Sequence, residues 1–333
     1  MWHICGHTLE AGEKKQIDLE PGVKDNKIPT TLVCGAKPGK TLLVTAGIHA
    51  GEYPGTAAVI RLSKEVNASR MEGNIIFMHC VNTSGFWERT VEIIPEDGYN
   101  LNHDYPGKEN GTVGERIAWY FMTELFPKVD FILDFHSGAN TEVMEPLAFY
   151  PNAEKVKDYS YGAARALDLS FLVESTADKG EYSYAAYNYD VPGLLVEIGH
   201  SHSCKDQWVN LCFRNMKLLM QHLNIANFNE KKTIKNQKIF KEAIYLYAEE
   251  QGLWYPQIKR GQKIDRGQLI GYSQDFFGNQ IKSYYAEEAG TVLYYTNALS
   301  APENSFLIAY GLEKSAEVNF MVSAVNRSSK NVM

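Results

Sequence analysis

The sequence predicts an α/β protein, a doubly wound and mostly parallel sheet, followed by a small all-β module. Three observations carry this. Short, nearly continuous apolar runs alternate with helical periods over the first two-thirds of the chain, as in sheets covered on both faces. The helical period then stops at a polar stretch, Asn227–Lys238 (NFNEKKTIKNQK). Beyond it, short strand candidates are punctuated by glycines at 252, 261, 267, 271, 278 and 290. The expected division is residues 1–230, residues 235–313, and a weakly patterned tail, residues 314–333.

In order, Thr41–Ala46 (TLLVTA) reads as a buried strand and Gly47–Tyr53 as a loop. Pro54–Asn67 reads as a helix, opened by a proline in its first turn. Asn74–Val81 is a strand, Val113–Leu125 a helix, and Val129–Phe135 a strand ending in a His-Ser-Gly turn. Ser160–Leu167 reads as helix, Leu194–Ile198 as strand, and Asp206–Leu223 as helix. The module's strand candidates are Phe240–Ala248, Gly252–Pro256, Gln268–Tyr272, Gln280–Ala286, Gly290–Tyr295 and Phe306–Tyr310.

The chain has 333 residues, 44% hydrophobic and 22% charged, which is the composition of a globular protein able to bury a large core. Its net charge of −7 argues against nucleic acid as a partner, whose binders carry a basic footprint. The five cysteines are odd in number and irregularly spaced, which suits free thiols in a reducing compartment better than a disulfide framework. The first residues lack a basic segment followed by an apolar one, and no apolar run approaches the ~20 residues of a membrane helix. The expectation is a cytoplasmic protein that binds no membrane.

Three segments carry chemistry. Gly47-Ile48-His49-Ala50-Gly51-Glu52 follows a strand and holds an HxxE pair. An imidazole and a carboxylate three apart in a turn can converge on one metal ion. The pair also reads as a plain helix start, with Glu52 favoured by the helix dipole. Asp134-Phe135-His136-Ser137-Gly138 puts His136 at the carboxyl end of another strand, on the same rim of the sheet. Together His49, Glu52 and His136 form a His₂Glu set that leaves a position open for water, the pattern of a catalytic zinc site. Asp134, two residues before His136, faces the same side and can orient a ligating imidazole or serve as a structural carboxylate. Glu197, inside the apolar run LLVEI, is costly to bury without a partner. It reads as a general base, and alternatively as half of an ion pair.

The loop Asp97–Gly107 (DGYNLNHDYPG) is polar and rich in turn residues, and Arg89 upstream offers a guanidinium for an oxyanion. His200, His202 and Cys204 (GHSHSC) read as a loop near the site, with a second soft-metal site as the alternative. Tyr182, Tyr184, Tyr187 and Tyr189 read as amphipathic packing, one of them a candidate for the site.

In order and context, GIHAGE, NLNHDYPG, DFHSG and VEIG resemble the G-x-H-G-x-E, N-L-N-R-x-F-P-G, D-x-H-S/T and V-E-x-G signatures of the succinylglutamate desuccinylase/aspartoacylase family. This is a branch of the zinc carboxypeptidase-like hydrolases, and the likeness spans most of the chain. It implies one Zn²⁺ per chain held by His49, Glu52 and His136, with Glu197 as general base and acid. It further implies Arg89 at the oxyanion and Asn102 on a substrate carboxylate. His103 stands where the family has arginine, and histidine cannot reproduce the bidentate fork that clamps a second carboxylate. The all-β module resembles the family's barrel-sandwich domain, related to biotinyl and lipoyl carriers. Ser273–Gln280 (SQDFFGNQ) lacks the lysine that a carrier needs, so the module reads as scaffold, lid or oligomer contact. The expected substrate is a small acylated amine, an N-acyl amino acid above all. A small peptide is the alternative within hydrolases, and a non-catalytic metal- or ligand-binding protein the alternative outside them.

Overall fold

A computed structural model describes residues 1–22, 26–103 and 105–313. The chain opens with a hairpin, β1 (Trp2–Ile4) and β2 (His7–Leu9), then runs through β3 (Lys14–Leu19), β4 (Ile28–Cys34) and β5 (Lys37–Ala46). Helix α1 (Tyr53–Glu65), strand β6 (Glu72–Met78) and the short helix α2 (Thr83–Glu88) follow. Helix α3 (Val113–Tyr120) starts in a reciprocal cap between Thr112 and Glu115 and widens into a π turn over Phe121–Leu125. Next come β7 (Phe131–His136), β8 (Glu142–Met144), β9 (Leu147–Pro151), α4 (Lys157–Ala166), β10 (Phe171–Ser175), α5 (Glu181–Tyr189), β11 (Gly193–Glu197) and α6 (Asp206–His222).

Nine strands form one sheet, in the order β12-β10-β9-β11-β7-β5-β6-β4-β3, where β12 is Lys238–Phe240. The sheet is mixed, with five of its eight strand pairings parallel. The pairs β5–β6, β5–β7, β7–β11, β9–β10 and β10–β12 are parallel, whereas β9–β11, β4–β6 and β3–β4 are antiparallel. Alternate residues of the central strands feed two cores. Leu42, Val44, Phe131, Leu133 and Phe135 meet α1 and α6 on one face. Leu43, Ile76 and Ile132 meet α3, α5 and the N-terminal hairpin on the other. Burial on both faces explains why these strands read as continuous apolar runs.

The remaining strands are β13 (Ala243–Tyr247), β14 (Gly252–Pro256), β15 (Lys263–Ile264), β16 (Leu269–Gln274), β17 (Gln280–Tyr285), β18 (Gly290–Thr296), β19 (Ser300–Ala301) and β20 (Phe306–Leu312). They make two antiparallel sheets, β13-β20-β18-β15 and β17-β16-β14-β19, around a shared core that includes Trp254, Ile270, Val292 and Tyr310. Two strands cross the expected boundary. β8 pairs with β18, with Met144 opposite Tyr294, and β12 lies in the large sheet beside β10. The predicted strand Phe240–Ala248 is therefore two, belonging to different sheets. The predicted tail, residues 314–333, lies outside the described residues, which end at Glu313. Glu313 is bound to Lys238, Lys263 and Thr291.

Candidate metal centre and active site

Strand β5 ends at Ala46, and Gly47 (φ 66°) turns the chain into the loop that carries His49. Glu52 occupies the N-cap position of α1, yet its side chain bonds none of the helix's N–H groups. Instead, Glu52 Oε1 is 3.0 Å from His49 Nδ1, and Oε2 is 2.9 Å from His136 Nδ1. The backbone N–H of Ser137 donates to Oε2 at 3.0 Å. Glu52 therefore stands at the helix start and also turns its carboxylate to the two imidazoles.

His136 Nδ1 and His49 Nδ1 are 3.2 Å apart, and the donor atoms of His49, Glu52 and His136 all lie within 4.8 Å of one another. Two ligands ~2.1 Å from a tetrahedral zinc stand roughly 3.4 Å apart, so the set fits that ion. The far nitrogens are both held. His136 Nε2 is 3.0 Å from Asp134 Oδ2, and His49 Nε2 is 3.0 Å from Asn100 Oδ1. With Nε2 occupied in each ring, Nδ1 is the atom free to ligate. Thr45 donates from Oγ1 to Asp134 Oδ1 at 3.1 Å, completing the support. Asn100 lies in the polar loop Asp97–Gly107, and only its contact with His49 reveals its place at the site.

Charge follows geometry. Burial pushes the Glu52 carboxyl up, but His49 and His136 outweigh it and hold it down at about 2. Burial pushes both imidazoles down. Glu52 more than reverses this at His49, and Asp134 with Glu52 does so at His136, so both are raised.

Glu197 ends β11 and lies opposite His136 in the parallel β7–β11 register. Its Oε2 is shielded from solvent and has no hydrogen-bond partner among the described residues. Burial, then the carboxylate of Glu52, raise its carboxyl well above the ordinary range. Glu142, on β8, is raised to about 7 by burial and by Glu52 and Glu92. Glu181, fully buried near Asp134, is raised mainly by burial. Neither glutamate was singled out by motif, since only the fold brings α5 and β8 to this rim.

A cleft of about 400 Å³ opens beside Glu197. Asn102, His103, Lys179, Tyr182, Glu197 and Tyr245 are among its lining residues. Asn102 Nδ2 lies 3.5 Å from His136 Nε2. Of the four tyrosines on α5, Tyr182 reaches the cleft, whereas Tyr184 packs on Tyr105 and Tyr189 on Phe126. Tyr245 comes from β13, so the C-terminal sheets furnish part of the wall. Arg89 is exposed at the end of α2 (φ 59°), and no contact joins its guanidinium to the histidines among the described residues. Its turn is tied to the metal loop by the Gly51 N–H, which donates to Val91 O at 3.2 Å. His200 turns to Ser201 and Trp208, His202 packs near Tyr53, and Cys204 is exposed, so these three do not converge on an ion.

The sheet thus carries, at the carboxyl ends of its strands, a His₂Glu cluster able to hold a metal ion. Residues 38–224 match the succinylglutamate desuccinylase/aspartoacylase catalytic domain, and the chain belongs to that family. It is similar to the N-alpha-acetyl-L-2,4-diaminobutyric acid deacetylase of Halomonas elongata, 27% identical over 286 residues, 80% of each chain. It shares its fold with the product-bound ectoine utilization protein EutE (DoeB) from Ruegeria pomeroyi (TM-score 0.82, 22% identity, 92% of this chain and 98% of that one). It also shares the fold of a succinylglutamate desuccinylase from Silicibacter sp. TM1040 (TM-score 0.76, 23% identity, 86% and 89%). No helix among the described residues is long and apolar enough to cross a membrane.

Proposed function

We propose that this chain is a zinc-dependent amidohydrolase that releases the acyl group from a small N-acylated amino acid. The observation that carries the reading is the convergence of His49 Nδ1, His136 Nδ1 and the Glu52 carboxylate, with Glu197 in register beside His136. When bound, zinc lowers the pKa of water towards about 7 and polarises a carbonyl. Glu197 takes the proton from the attacking water and returns it to the leaving amine. Its raised carboxyl suits both halves of that task. Asp134 and Asn100 keep the two imidazoles in the ligating tautomer. Arg89 is assigned to the developing oxyanion, from the tie between its turn and the metal loop.

Asn102 is assigned to the substrate's α-carboxylate through its amide N–H, with Lys179 supplying a cation in the same cleft. His103 lines the same cleft and offers no bidentate fork. Asp178 also lines it and adds negative charge. These favour an amino acid without a side-chain carboxylate, consistent with the name of the Halomonas relative. The test is a panel of N-acetyl and N-succinyl amino acids, set against short peptides, with zinc-loaded and chelator-stripped protein. Zinc-dependent release of amine from the N-acetyl compounds is expected. Zinc binding without hydrolysis of any acylated amine would leave only a binding role.

A further inference from the structure

The segment after β11 does more than connect Glu197 to α6. Residues 198–203 are bonded along the His136 loop: Ile198 N donates to His136 O, Gly138 N to Gly199 O, and Ser201 N to Ala139 O, each at 3.0 Å. The turn then places two consecutive non-glycine residues in the left-handed region, Ser201 at φ 59° and His202 at φ 48°. Such a backbone persists only where its surroundings over-determine it. The result is that the His202 ring lies against the other metal loop. A methyl group added at Gly51 would sit 2.6 Å from His202 Nε2 and 3.2 Å from Cδ2 and Cε1, its three nearest neighbours. The ring also lies beside Tyr53, tilted to it with centroids 6.0 Å apart. Nε2 is shielded from solvent and has no partner among the described residues, so the imidazole meets Gly51 as bulk and not as a hydrogen-bonding group.

We propose that His202 is a positioning residue: its ring is the spacer that sets the His49–Glu52 turn against the strand end carrying His136 and Glu197. The proposal rests on the zinc site described above and assigns no chemistry to His202. It also gives Gly51 a reason to lack a side chain, since the ring fills that space.

The test is a double-mutant cycle on zinc affinity, measured by chelator competition, with thermal unfolding of the metal-free proteins in parallel. Gly51→Ala should weaken zinc binding by about tenfold, in the range seen when the support of a ligand is disturbed. His202→Ala should weaken it several-fold through slack, and His202→Leu, which refills the space without ring nitrogens, should recover most of that loss. In the double variant Gly51→Ala/His202→Ala the added methyl meets no ring. Its affinity should lie within about threefold of His202→Ala alone, a strongly non-additive result. Equal cost of Gly51→Ala with and without His202 would overturn the proposal. So would a His202→Ala protein that binds zinc like the wild type. Should Gly51→Ala fail to fold, the comparison of His202→Ala with His202→Leu decides, and equal affinities overturn it. A wild-type protein that takes up no zinc would sink the hydrolase reading instead. The spacer role would then be decided by the same coupling in the unfolding temperatures.

Discussion

Glu197 lies opposite His136 across the parallel β7–β11 ladder. Paired residues of such a ladder project from the same face, as do residues two apart along a strand. Asp134, His136 and Glu197 therefore share one face of the sheet by construction, and the candidate base needs no mobile loop to join the side of the histidine cluster. Glu197→Gln should lower turnover by roughly 10²–10⁴ while zinc content stays stoichiometric. Turnover near the wild-type rate would remove Glu197 from the role of base.

Protons would compete with a zinc ion for the ring nitrogens of His49 and His136. With both imidazoles raised above 6.5, zinc affinity should fall roughly tenfold, for each proton displaced, with every unit that the pH drops below the raised values. The metal-free protein should show the opposite trend. A raised pKa in the folded state gives stability that is complete below 6.5 and is lost as pH rises through the raised value. Unfolding of the zinc-loaded and stripped forms across pH 5 to about 9 checks both signs.

His103→Arg should move selectivity towards acyl amino acids with a second carboxylate, because a bidentate partner is restored in the cleft. The measurement is the ratio of kcat/KM for N-acetylaspartate to that for a neutral N-acetyl amino acid. An unchanged ratio would show that position 103 does not read the side chain.

Much of this centre was legible because it sits on the most regular part of the chain. His49, Glu52, His136 and Glu197 lie at or just beyond ends of strands whose apolar runs mark them plainly. What escaped the sequence was set by tertiary contacts. The tyrosine-rich α5 (EYSYAAYNY) lacks a clean helical period, yet Glu181 and Tyr182 on it are buried near the site. Strands β9 and β10 carry no plain strand signal in the sequence, and β8 has only three residues, paired with β18 far along the chain, Met144 opposite Tyr294. Tyr245 reaches the cleft from a strand that, taken alone, reads as scaffold.

Asp168, away from the cleft, fastens the polar linker. It accepts from Thr233 N and Ile234 N at 2.7 Å and from Thr233 Oγ1 at 2.8 Å, and it pairs with Arg214 at 2.9 Å. Burial pushes its carboxyl up, but these donors together outweigh burial and hold it below 3.8. Asp168→Asn should cost about 3 kcal/mol near neutrality, read from urea unfolding. A depressed pKa gives stability that is present above 3.8 and lost as pH falls through the folded value. The deficit of the variant should therefore shrink in acid.

Gly271 on β16 lies against the face of Trp254, where an added methyl would sit 2.1 Å from a ring carbon. The ring is buried and its Nε1–H donates to Thr296 O at 3.2 Å, so it has little room to shift. Gly271→Ala should destabilise by about 1–3 kcal/mol through overpacking. Unchanged thermal unfolding would mean that the ring can move aside.

The exchange of strands across residues 227–237 has a consequence for what a protease could achieve. A cut there would sever the peptide chain but neither ladder: β8 would still be zipped to β18, and β12 to β10. The two fragments would stay clasped, each holding an edge that belongs to the other, and would travel as one particle until denatured.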